Sequence, residues 1–76
     1  MRRVGEVVRT AGGVAVVRVP SDEDPVDVGT MVVDDSLSTV GRVVDVFGPV
    51  SRPYVAVTPN DGAALTELLG KPLYAR

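Results

Sequence analysis

The sequence has no cysteine, no histidine and no tryptophan, and only three aromatic residues, Phe47, Tyr54 and Tyr74. Without cysteine there is neither a disulfide nor a thiolate metal site, a composition that suits a reducing cytoplasm. Without histidine the commonest metal ligand and the commonest general base are both missing. A basic excess is missing too. Lysine and arginine number 8 against 10 acids, for a formal charge of −2, whereas an autonomous nucleic-acid binder usually gathers a basic patch. No apolar run approaches the roughly 18 residues of a membrane span, and no signal peptide opens the chain. These absences predict a soluble cytoplasmic protein that contacts no membrane.

The same absences remove most chemistry. Ser21, Ser36, Ser38 and Ser51 have no adjacent base to activate them and read as turn or cap residues. Asp22, Glu23, Asp24 and Asp27 lack the alternating ligands and central glycine of a calcium loop, so they read as a solvated acidic loop. Asp34 and Asp35 are neighbours at a strand end, point to opposite faces, and cannot work as a paired acid and base. Ala11-Gly12-Gly13 lacks the lysine and hydroxyl residue of a phosphate loop. The expectation is a chain with no catalytic residues, no cofactor and no metal.

What is present is valine, eighteen residues of the 76. β-Branched side chains are stiff at χ1 and fit a pleated surface. Eight glycines and six prolines cut the chain into short pieces. Strands are predicted over Arg3–Thr10, Val14–Val19, Thr30–Asp34, Thr39–Phe47 and Pro53–Thr58, with Lys71–Arg76 closing. Gly62–Leu69 is the only helix candidate, capped by Asn60 or Asp61 and ended by a left-handed Gly70. Five or six short strands in one domain, residues 1–76, suggest an all-β small closed barrel, because closure removes exposed edges.

Several strands are apolar on both faces. Strict alternation puts Val14 and Val16 opposite Ala15, Val17 and Val19, and puts Val44 and Val46 opposite Val43 and Phe47. One small interior cannot hold them all. The surplus is either covered by loops or left outside as an interaction patch. Phe47 on its own reads as a core residue.

The stretch Thr39–Pro59 adds a more specific signal. Gly41-x-Val43 leads into Asp45-Val46-Phe47-Gly48-Pro49-Val50, followed by Pro53-Tyr54-Val55-Ala56-Val57 and Pro59. With Gly5, the turn before Val14, and Gly70-Lys71-Pro72-Leu73-Tyr74, it resembles the Gar subunit of H/ACA ribonucleoproteins in its short archaeal form. That resemblance implies a six-stranded closed β-barrel of the translation-factor and reductase type. It also implies a non-catalytic subunit that binds the pseudouridine synthase catalytic subunit and aids loading and release of substrate RNA. Guide and substrate RNA would be met indirectly, through the complex. These 76 residues contain no arginine- and glycine-rich stretch like the tails of eukaryotic members. The expected interface is Gly48, Pro49, Val50, Arg52, Pro53 and Tyr54, a proline-framed loop that loses little freedom on docking. The competing reading is a translation-factor-like barrel that binds structured RNA or a ribosomal partner directly.

Overall fold

The computed structural model describes residues 2–60 and 65–76. Six strands form: β1 Arg2–Ala11, β2 Val14–Arg18, β3 Met31–Val33, β4 Thr39–Phe47, β5 Tyr54–Pro59 and β6 Pro72–Ala75. They close into an all-antiparallel barrel in the order β1-β2-β5-β4-β3-β6. The fold class and strand number agree with the sequence reading. Boundaries differ by a residue or two. β5 begins at Tyr54 because Pro53 has no amide to donate to a ladder.

The β1–β2 connection is a two-residue hairpin. Gly12 and Gly13 both have positive φ, 56° and 82°, as the mirror-image turn that matches strand twist requires. A small barrel also needs sharply coiled strands, and bulges supply the coiling. Register shifts fall in β1 between Arg3 and Gly5 and between Val7 and Arg9, and in β4 between Val43 and Asp45. At Gly41 the β4 backbone runs so close to β5 that a Cβ would lie 1.8 Å from the Thr58 carbonyl oxygen. That contact is a physical reason for the glycine in the Gly41-x-Val43 pattern.

The interior is built almost wholly of valine. Val7, Val17, Val32, Val43, Val55 and Val57 line it with Val4, Val40 and the fully buried Leu73. Each such side chain contributes about 1.5–3 kcal/mol by leaving water. Val26 joins them from the long β2–β3 connection, and Leu68 from the region expected to be helical. The described part is a short 3-10 turn, Leu65–Leu68, while Asp61 to Ala64 lie outside the described residues. Its apolar residues, Leu65 and Leu68, are three apart and share a face of a three-residue turn. Gly70 ends the segment with φ 79°, and its amide donates to the Val7 carbonyl at 2.8 Å.

The bulge in β4 overturns the simple alternation read for that strand. Pairing runs Val43 with Val57, then Asp45 with Ala56, Val46 with Val55 and Phe47 with Tyr54. Val44 is the extra residue, so Val43 and Val46 both face the core and Phe47 is carried outside. In β2 the expected alternation holds: Ala15, Val17 and Val19 face inward. Val16 pairs with Ala56 on the outer face, yet both are buried. Part of the valine surplus is therefore covered, and part is not.

Candidate functional site

Among the described residues, two exposed large apolar side chains, Phe47 and Val50, lie at one end of the β4–β5 hairpin, while Val28, Leu37, Val44 and Leu69 are exposed elsewhere. Phe47 and Tyr54 are the last register partners before the connecting loop. Their rings stack with centroids 5.8 Å apart and an interplanar angle of 22°. Phe47 is 36% exposed and is not the core residue its sequence context suggests. The cause is the Val44 bulge, which shifts every following side chain of β4 by one position and so reverses its face.

The loop between the rings is held by four devices. Gly48 takes a φ of 94°, and a Cβ there would stand 2.9 Å from Tyr54 Cδ2 and 3.1 Å from the Arg52 carbonyl oxygen. The Arg52 amide donates to the Pro49 carbonyl at 3.0 Å, closing a β-turn with Val50 and Ser51 at its centre. The Val19 amide donates to the Pro53 carbonyl at 3.2 Å, tying the loop back to the strand beside it. Pro49 and Pro53 fix φ at both shoulders. The product is a rigid ridge.

Val50 crowns that ridge at 101% relative exposure. A fully solvated β-branched side chain on a hydrogen-bonded turn loses water only against another molecule. On one side of the ridge Phe47, Gly48, Pro49, Val50 and Pro53 form one wall of an open groove of about 290 Å³. Glu23, Asp24 and Pro25 form the opposite wall. That second wall is tethered: the Glu23 amide donates to the Pro20 carbonyl at 3.1 Å, and the Arg2 guanidinium donates to the Asp24 carbonyl oxygen. The groove is thus apolar on one wall and acidic on the other.

All six residues expected at the interface lie in this hairpin end, but they divide among three positions. Gly48, Pro49, Val50 and Pro53 line the groove. Tyr54 is half-buried behind them as the support on which Phe47 stacks. Arg52 projects to the other side of the ridge, into a separate cleft. Sequence reasoning missed Phe47 and the acidic wall. The prolines at 20 and 25, bracketing Ser21–Asp24, were the available sign that this loop is shaped.

Asp34 follows β3 and holds the turn after it. Asp34 Oδ1 accepts from the Ser36 and Ser38 amides at 2.9 and 3.0 Å, which makes that carboxylate structural.

A family model described as the Gar1/Naf1 RNA binding region matches residues 1–76, the whole chain. No curated protein matches it.

Proposed function

The chain belongs to the Gar1/Naf1 family, and on that premise we propose that it is the non-catalytic barrel subunit of an RNA-guided pseudouridylation particle. The family sets an H/ACA ribonucleoprotein context and an RNA-binding role. Within that context the chain docks on the catalytic subunit of the pseudouridine synthase, in the cytoplasm, and aids loading and release of substrate RNA during ribosomal RNA modification. The isomerisation itself belongs to the synthase.

The observation that carries the docking reading is the exposed ridge. Phe47, Pro49, Val50 and Pro53 present apolar surface on a loop already fixed by its turn and its prolines. Little conformational entropy remains to be lost when such a loop is covered. An aromatic anchor ringed by smaller apolar contacts is also the usual make-up of an interface centre. The acidic wall of Glu23 and Asp24 favours a basic side chain on the partner beside the apolar contact.

Calorimetric titration of the chain into a purified synthase catalytic subunit, without RNA, tests this. Saturable one-to-one binding is expected. Val50→Asp changes only a solvated side chain, so its melting temperature stays within about 3 °C of wild type, the equivalent of roughly 0.5 kcal/mol. The same variant should bind at least about tenfold more weakly, the equivalent of 1.4 kcal/mol. A flat titration with a folded barrel would overturn the docking reading.

A further inference from the structure

On the far side of the ridge from the apolar groove lies a second open cleft, of about 320 Å³. Three arginines line it: Arg3 from β1, Arg18 from the end of β2 and Arg52 from the ridge turn. Ser21 and Ser51 add a hydroxyl from each rim, and Glu6 is the one acid in the lining. These cations are far apart in sequence and are brought together by the β1–β2 and β2–β5 pairings and the ridge turn.

Two of the other arginines are occupied in the structure. Arg2 donates to the Asp24 carbonyl, and Arg42 donates to the Met31 sulfur at 3.7 Å. Among the described residues, Arg3, Arg18 and Arg52 make no such side-chain hydrogen bond, and all three are exposed. In a chain of net charge −2, charge is unevenly divided across one loop, with Glu23 and Asp24 along the groove and three guanidiniums against the single Glu6 along the cleft.

We propose that the Arg3–Arg18–Arg52 cleft is a binding site for the phosphodiester backbone of RNA. Guanidiniums present planar forks of donors that match phosphate oxygens two at a time. Serine hydroxyls supply single donors to the same oxygens. Pro20 in the cleft wall gives apolar surface for a ribose. The contact reads no base, so it holds RNA beside the ridge without selecting sequence. It rests on the RNA-binding membership of the family and not on the docking proposal, and it reconciles an acidic chain with that membership: the basic patch is local.

The test is fluorescence anisotropy of a labelled single-stranded 15-mer oligouridylate with the isolated full chain, no synthase present. Three phosphate contacts on a single strand predict a slope of log affinity on log salt near −2, about 20-fold weaker binding at 200 than at 50 mM salt. The combined variant Arg3→Gln, Arg18→Gln, Arg52→Gln should lose at least about tenfold in affinity and most of that salt slope. Arg9→Gln, Arg42→Gln, Arg76→Gln removes the same charge elsewhere and should stay within about threefold of wild type. Equal losses in the two sets would reduce the effect to net charge and overturn the site. So would an acidic peptide of matched charge that competes as well as the RNA. Amide shifts on the unaltered chain give a readout independent of any variant: Ser21 and Ser51 should move on adding RNA, and their silence would also overturn the proposal. Because the synthase is absent, failure here leaves the ridge reading untouched, and a flat synthase titration leaves this one untouched.

Discussion

Gly48→Ala separates the ridge's shape from its chemistry, because it adds a single methyl group. Two penalties follow from the geometry. A φ of 94° is a conformation that an L side chain adopts only at about 1–2 kcal/mol. The new Cβ would also stand 2.9 Å from Tyr54 Cδ2, inside van der Waals contact, so the ring has to move. Moving it loosens the Phe47–Tyr54 stack, a contact that contributes about 0.5–1.5 kcal/mol. The sum is roughly 1.5–3.5 kcal/mol, against about 4–11 kcal/mol for a domain of this size. The variant stays folded at room temperature, with a melting temperature lower by about 6–28 °C.

Gly13→Ala is its control. Gly13 has a comparable φ of 82°, but nothing lies within 4 Å of where its Cβ would be. It should lose about 1–2 kcal/mol, melt about 5–15 °C below wild type and bind the synthase normally. Gly48→Ala should melt lower still and bind at least about tenfold more weakly. Melting followed by circular dichroism, with calorimetry well below both transitions, reads both quantities. If Gly48→Ala binds like Gly13→Ala, the partner does not read the Tyr54-supported shape of the ridge. Equal melting of the two would show that ring displacement carries no penalty.

Two further outcomes concern the scaffold. Leu73 is fully buried among the barrel valines, so Leu73→Ala should lose about 2–5 kcal/mol, seen as an early urea midpoint; a loss under 1 kcal/mol would mean that β6 does not close the barrel. Asp34→Ala removes the acceptor of the Ser36 and Ser38 amides. Two exposed hydrogen bonds to a charged group predict a loss of about 1–2 kcal/mol with RNA and synthase binding unchanged, and an unshifted melt would show that water replaces the carboxylate.

Much of this protein was decided locally. Valine's stiffness, the Gly12-Gly13 pair and the proline stops specify six short strands and their turns from near neighbours alone, and so does the Gly48–Pro53 loop between Phe47 and Tyr54. Lack of histidine and cysteine likewise narrows the chemistry without any fold. What only tertiary structure decided is facing and company. The bulge at Val44 forms because β4 must coil around a closed barrel, and a one-residue shift reverses every side chain beyond it. Phe47 is therefore outside although its alternation with Val43 points inward. Acidic wall and apolar ridge, residues 23–25 and 47–53, meet across a gap that no local pattern encodes. Arg3, Arg18 and Arg52 likewise share a cleft because β1 and β2 pair, β2 pairs with β5, and the ridge turn leads into β5. Short-range sterics set the elements, and closure of the sheet set which of their side chains became a surface.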